Sequence, residues 1–421
     1  MNLYKKIVAI IIVAITSIGL MAMANPPKPE TVTFMVIASE AQKLEFLVDE
    51  FEAKNPDIKI NLIYGPRTTN SVEDLYTGSF LLGDSPYDII YADMVWASKF
   101  AAAGWLKDLS AWVSESELTA FMPTTVEAGK VENGFYWMPF VSGLGMLYYR
   151  TDLLEQAGLN PPETFEDLVA QSQLLQDKGL VDWGYVWQGF QYEGLITVFL
   201  EVLQGYGGFW INADGQNIGL DQDPSIAAAA FLRRLVEQEI SPKDTASYVE
   251  IDTLRIFQNG KAAFLRNWPF AWQVLNQPNS SLKGKVAIQT MVHAPGQQSG
   301  SSLGGWGFSM AKDTPHPEAA WRVIDFFSSE AAQRQFILVS GYVPVRRSLF
   351  TDPEILEKYP HYPEFLQIAQ KAVLRPPIRQ YAQASDILQR YLSAAITGQL
   401  TPEAAMKQAT VETRRTLGWR K

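Results

Sequence analysis

The sequence predicts an α/β protein folded as two lobes with parallel-core sheets and flanking helices. Three observations carry that expectation. Strand-helix-strand units repeat from Thr31 to Asp93, the pattern then turns to longer amphipathic helices, and 421 residues exceed one core at roughly 150 residues per domain.

Taken in order, Thr31 to Ile37 is a β-rich run, and Glu40 to Lys54 carries Leu44, Leu47, Val48 and Phe51 at helical spacing until Asn55-Pro56 stops it. Ile58 to Tyr64 reads as a second strand. A helical stretch around Val72 to Leu82 and a Gly83-Asp84-Ser85-Pro86 turn lead to a third, Tyr87 to Asp93. Units of this kind imply parallel strands joined by right-handed crossovers. Farther on, Thr164 is placed to cap a helix over Phe165 to Lys178, Pro224 to Glu239 is amphipathic, and Glu250 to Gln258 is a further helix. Thr401-Pro402 opens the last one, with proline at its first position. No internal repeat of about 20 to 50 residues is visible. Asn212-Ala213-Asp214-Gly215 lacks the spacing and closing glutamate of a calcium loop and reads as a hairpin turn.

Lys5 and Lys6 precede an apolar run from Ile7 to Leu20, and Ala22-Met23-Ala24 follows. A charged start, an apolar stretch and a small-x-small site describe a signal peptide over residues 1–24, with the mature chain starting at Asn25. The alternative is an uncleaved anchor, although the run is shorter than the roughly 20 residues of a membrane span. With no cysteine there is neither a disulfide framework nor a thiol for lipid anchoring. The expected location is a periplasm.

A hydrophobic share of 47% and a charged share of 19% lie in the globular range. The net charge of -10 argues against nucleic acid as a partner, since phosphate binding requires basic surface. The three histidines, His293, His316 and His361, are far apart in sequence, which disfavours a zinc site or a histidine-based relay. No phosphate-binding loop motif occurs. Neither a cofactor nor a metal is expected.

The positive signal is aromatic, with 12 Trp, 17 Tyr and 22 Phe. Trp187-Gln188-Gly189, Asn267-Trp268-Pro269 and Gly304-Gly305-Trp306 read as loop tryptophans, suited to the apolar faces of a sugar ring. Packing alone is the competing explanation for each. Glu40 and Asp93 fall at the carboxyl ends of strands, where α/β sheets place ligands. They could accept sugar hydroxyls, act as a glycosidase pair or cap helices.

Six groups of residues, in order along the chain, resemble the periplasmic solute-binding proteins of ABC sugar transporters, particularly the trehalose/maltose-binding branch. They are Tyr91-Ala92-Asp93-Met94-Val95-Trp96 with Ala103-Gly104-Trp105-Leu106, Leu147-Tyr148-Tyr149-Arg150, Val186-Trp187-Gln188-Gly189 with Gln191-Tyr192-Glu193-Gly194, Arg266-Asn267-Trp268-Pro269, Leu303-Gly304-Gly305-Trp306, and Leu374-Arg375-Pro376. The resemblance implies a type II, maltose-binding-like fold of two α/β lobes joined by three crossings, near Ser142–Gly145, Ser301–Trp306 and Gly341–Arg346. The first lobe would then hold residues 25–143 and 306–341, and the second 144–305 and 342–421.

By the same resemblance Glu40 and Asp93 would accept sugar hydroxyls, with Thr68 nearby. Trp268 and Trp306 would stack on or flank the ring, the Gly304 amide would donate, and Arg375 would fork onto hydroxyls. The relatives carry a tyrosine and an aspartate where this chain has Val141 and Gly143, and an arginine that falls at Glu73, for which Arg67 could substitute. Losing a hydrogen-bonding carboxylate would weaken a matching disaccharide by about 1.5–3 kcal/mol. That points to glucosylglycerol or sucrose ahead of trehalose or maltose. The implied partners are a small sugar or glucoside and the permease subunits of an ABC importer, met by a monomeric receptor that is not an enzyme. A secreted glycosidase using Glu40 and Asp93, or a receptor presenting ligand to a signalling protein, are the alternatives.

Overall fold

In a computed structural model, residues 28–83, 85–212, 217–369, 372–376 and 378–419 are described. The segment read as a signal peptide, Asp84, and residues 213–216 of the segment read as a hairpin turn lie outside the described residues. Ile211 and Ile218, on either side of those residues, form an antiparallel bridge.

The first lobe begins as its pattern dictates. β1 (Glu30–Ile37) lies parallel to β2 (Ile58–Gly65), and the helix Ala38–Lys54 crosses between them. The apolar run Val32 to Ile37 is buried throughout. The helix Thr69–Leu82 leads to β3 (Ile89–Asp93). It starts under the Thr68 side chain, which accepts from Ser71 N–H at 3.3 Å, and ends on left-handed Gly83, φ 73°. The hydroxyl of Tyr76 on this helix joins β1 to β3. It donates to Met35 O at 2.6 Å and accepts from the amides of Met35 (3.1 Å) and Tyr91 (3.3 Å). After β4 (Lys130–Val131) and β5 (Gly134–Phe135), which pair antiparallel with each other, β6 (Met138–Leu144) joins a second, antiparallel ladder in which β11 (Leu303–Met310) lies between β6 and β3. Only β1 and β2 therefore carry the parallel pairing expected here; β3 takes a partner from far along the chain.

The second lobe is built on four strands in the order β10-β7-β9-β8, with β8 (Trp183–Val186) parallel to β9 (Ala262–Asn267) and β7 (Met146–Arg150) and β10 (Val286–Gln289) antiparallel. Long helices cover it, among them Phe165–Asp177, capped by Thr164 in a capping box, and Glu193–Gly205, Asp223–Glu237, Tyr381–Ile396 and Pro402–Thr416. Their apolar faces, including Phe199, Leu203, Leu232 and Leu388, form one core, and Phe34, Tyr91, Phe140 and Phe327 belong to a core of the first lobe.

Between β6 and β7 the chain passes from one sheet to the other at Gly145, whose amide donates to Ser302 O at 3.1 Å. A side chain at 145 would meet Glu201 Oε1 at 1.6 Å, so only glycine fits. Glu201 is fully buried and paired with Arg266, which reaches both its oxygens (2.9 and 2.5 Å), and Glu201 also accepts from the Ser302 amide at 3.3 Å. Two crossings thus rest on one buried ion pair of the second lobe.

The third crossing differs from the expected Gly341–Arg346. Val343 bridges Ser142 and Arg346 bridges Phe121, so this stretch stays on the first lobe. The chain instead runs beside the other two crossings at Val373, paired with Ser302. Apolar alternation around Tyr342-Val343-Pro344-Val345 fits either side of a hinge, and only the pairing partner decides.

Candidate functional site

The lobes meet over a cavity of about 280 Å³ at the carboxyl end of β1 and β3. Six of the seven residues singled out in the sequence line it: Glu40, Asp93, Trp268, Gly304, Trp306 and Arg375. The seventh, Thr68, is occupied as the cap of its helix, and its neighbours Arg67 and Thr69 face the cavity in its place.

Glu40 sits in the first turn after β1, buried, accepting from Tyr91 Oη at 2.8 Å and from Tyr342 Oη. Burial raises its carboxyl above the usual range, against the lowering effects of Tyr342, Lys43 and Tyr91. One turn on, burial pulls the Lys43 ammonium below its ordinary value although Glu40 opposes this. Lys43 Nζ lies 5.0 Å from the centre of the Phe270 ring and 5.7 Å from that of Tyr342.

Asp93 and Arg375 meet directly. Arg375 places Nη1 2.9 Å and Nη2 2.5 Å from the two Asp93 oxygens, and Nη1 also lies 3.1 Å from Glu193 Oε1. All three side chains are buried. This is a two-point fork across the lobes, since Asp93 ends β3 and Arg375 follows the third crossing. Glu193 is held from its own lobe by Ser385 Oγ at 2.6 Å and by Tyr381 Oη, and burial raises its carboxyl despite Arg375, Ser385 and Tyr381. Arg375 Nε is buried and finds no partner among the described residues.

Trp306 stacks on Tyr91 (5.0 Å, 14°) and meets Trp96 edge-on (5.5 Å, 87°). Trp268 has the Arg266 guanidinium 4.1 Å from the centre of its ring and donates Nε1–H to Glu250 Oε1 at 3.2 Å. A Cβ added at Gly143 or Gly304 would lie 3.3 or 3.4 Å from that ring, so the two glycines let the indole lie close against β6 and β11. A longer side chain at 143 would have to share this space.

Gly304-Gly305-Trp306 is not a loop; it lies inside β11, where the glycines make room for neighbouring rings and backbone. Asn267 ends β9. Trp187 is core, with Nε1 donating to Ser241 Oγ at 3.0 Å. Glycine-flanked tryptophans look alike in sequence whether the glycines make a turn or a close approach. Sequence reasoning assigned no role to Lys43, Tyr192, Glu193, Glu250, Phe270 or Tyr342, which also line the cavity. The Gln191-Tyr192-Glu193-Gly194 motif was the available signal for two of them.

More bonds close over the cavity. Arg67 Nη2 of the first lobe lies 3.2 Å from Asp252 Oδ1 of the second, and Asn70 Nδ2 donates to Gln389 Oε1 at 3.2 Å. Behind Asp93, Glu73 pairs with Lys99 at 2.9 Å; burial pushes its carboxyl up to about 6, with Lys99 opposing.

The family described as bacterial extracellular solute-binding protein matches residues 37–334. A probable ABC transporter-binding protein of Deinococcus radiodurans is 27% identical over 84% of this chain and 86% of its own length. Among solved structures, the maltose-bound MalE3 of T. maritima superposes with a TM-score of 0.87 at 34% identity, covering 92% of this chain and 99% of that one. A solute-binding protein of Agrobacterium radiobacter K84 in complex with ribitol gives 0.84 at 25% identity, over 93% of this chain and all of the other. The two-lobed fold is that of these binding proteins.

Proposed function

The chain belongs to the bacterial extracellular solute-binding proteins, and from that premise we propose that it is the receptor of an ABC importer for a small α-glucoside or disaccharide. The carrying observation is the interlobe cavity, which Trp268 and Trp306 line together with the carboxylates Glu40, Glu193 and Glu250. Rings suit the C–H faces of a pyranose, and carboxylates accept its hydroxyls. Arg375 Nε–H, without a partner among the described residues, is a donor left for a ligand oxygen.

Glu40, Asp93, Trp268, Gly304, Trp306 and Arg375 form the ligand shell in this reading, with Thr68 behind it shaping the turn that presents Arg67 and Thr69. About 280 Å³ lies at the small end of ligand sites. The relatives named above hold maltose in one case and ribitol, an open-chain polyol, in the other. Glucosylglycerol joins one glucose ring to one short polyol and satisfies both tendencies; sucrose and trehalose follow. The mature protein, exported to the periplasm as a monomer, delivers this ligand to its permease subunits after the lobes close, because closure presents a surface drawn from both. Among the described residues no helix is long and apolar enough to cross a membrane.

A glycosidase using Glu40 and Asp93 is disfavoured: both Asp93 oxygens are engaged by Arg375, and the relatives are binding proteins. Tryptophan emission titrated with glucosylglycerol, sucrose, trehalose, maltose, glucose, ribitol and mannitol tests the proposal. Saturable change with a glucoside, and none with the free polyols, supports it; response to the polyols alone reassigns the receptor to them.

A further inference from the structure

The helix Glu193–Gly205 begins without a cap from its own segment. Its N-cap residue is Tyr192, which makes no side-chain capping bond, whereas Thr68, Thr164, Ser329 and Thr401 each cap the helix that follows them. The first amides of a helix lack partners within it and need an acceptor. Here the acceptor comes from the opposite lobe. Glu193 N–H donates to Asn70 Oδ1 at 3.0 Å, and Asn70 sits in the first turn of the helix Thr69–Leu82. The other end of the same amide, Nδ2, donates to Gln389 Oε1 at 3.2 Å, and Gln389 Nε2 in turn donates to Ser385 Oγ at 2.9 Å. Asn70 therefore grips two helices of the second lobe, Glu193–Gly205 and Tyr381–Ile396, with one acceptor and one donor. It does not itself line the cavity.

The capped residue is the one that steadies the fork. The Glu193 carboxylate accepts from Ser385, Tyr381 and Arg375, and Arg375 reaches across to Asp93. We infer that Asn70 is a positioning residue that caps the second lobe's helix only when the lobes are together, and so couples lobe closure to the placement of Glu193 and Arg375. The bond links residues of different lobes, so opening breaks it and leaves the Glu193 amide to water. Asparagine is suited to the position because aspartate supplies the acceptor but no donor for Gln389, and alanine supplies neither. The inference rests on the interlobe receptor reading, and its test is arranged to separate the two.

The chain has no cysteine, so spin labels can be placed on the mature protein through Leu81→Cys and Val411→Cys, one in each lobe, at side chains that are 73% and 67% exposed. Interlobe distances are measured by double electron–electron resonance without sugar and along titrations with maltose and with glucosylglycerol. Asn70→Ala lowers the ratio of closed to open molecules by about fivefold, the size of a typical lost cap, and speeds dissociation with little change in association. Asn70→Asp, which keeps the acceptor, recovers most of the loss, a pattern that mere packing at this position would not produce. A closed fraction in Asn70→Ala equal to the parent's overturns the inference. So does an Asn70→Asp variant no better than the alanine, or a parent that shows no closed population under any of these conditions. A parent whose closed fraction responds to neither sugar counts against the glucoside reading and leaves the comparison of variants intact.

Discussion

Asp93→Asn probes where the energy of closing resides. In the structure both carboxylate oxygens of Asp93 receive Arg375, at 2.9 and 2.5 Å, with the side chains 8% and 2% exposed. Asparagine keeps one acceptor and turns an N–H donor toward the guanidinium at the other. The partners belong to different lobes, so in the open form each is hydrated separately and the substitution costs little. The penalty falls on closing. Removing one partner of a buried pair costs about 3–5 kcal/mol. Glu193, 3.1 Å from Arg375 on the same lobe, retains part of the compensation, which favours the lower end. About 3 kcal/mol is a factor of about 150 in the closing equilibrium, and the dissociation constant rises by the same factor. Calorimetry with the best-binding sugar measures it. Loss of a hydroxyl acceptor alone costs a comparable amount, so the ligand-free closing equilibrium, read by the interlobe spin-label distances, discriminates. Asp93→Asn is expected to lower the ligand-free ratio of closed to open molecules by the same factor, whereas loss of a ligand contact alone leaves that ratio unchanged. An unchanged ligand-free ratio, or an affinity within threefold of the parent, would refute the reasoning.

Gly145→Ala drives a methyl group into Glu201 and should loosen the buried Glu201–Arg266 pair, lowering stability by about 3–5 kcal/mol in denaturant unfolding; a loss below about 1 kcal/mol would show that the crossing yields easily. Trp268→Ala weakens sugar binding by about 10- to 100-fold and lowers the melting temperature less than truncation of a core tryptophan does, because the ring borders the cavity. Trp187→Ala does the reverse, costing about 3–5 kcal/mol of stability by its complete burial. Glu73 has its folded pKa raised from 4.5 to about 6, so its contribution to stability is fully present below 4.5 and is lost as pH rises through about 6. At 1.36 kcal/mol per pH unit that is about 2 kcal/mol. Glu73→Gln should remove this decline from the pH profile of unfolding, and an unchanged profile would contradict the assignment.

Much of this molecule is legible in the sequence wherever one residue's local context decides its state. Thr164 and Thr401 announce their helices, and β1, β2 and the helix between them follow from period alone. Glu40 and Asp93 fall at the cavity because strand ends in α/β sheets face a cleft. What stays hidden depends on partners distant in sequence. Tyr76 completes the β1–β3 junction from a helix, β11 separates β3 from β6, and Val343 pairs with Ser142 although its own segment reads equally well on either lobe. The Asp93–Arg375 pair joins residues 282 positions apart. Each was named as a separate contact for a ligand; that they also hold each other is a fact of packing that no local pattern encodes.

The proposed receptor role requires that the chain close around a small glucoside and release it unchanged. Calorimetric titration of residues 25–421 against glucosylglycerol, sucrose, trehalose, maltose and glucose, followed by chromatography of the recovered sugar, tests it most directly. One site per chain, micromolar or tighter for one of these glucosides, and intact sugar after prolonged incubation are expected. Absence of binding to every member by protein freed of co-purified ligand, or the appearance of hydrolysis products, would contradict it.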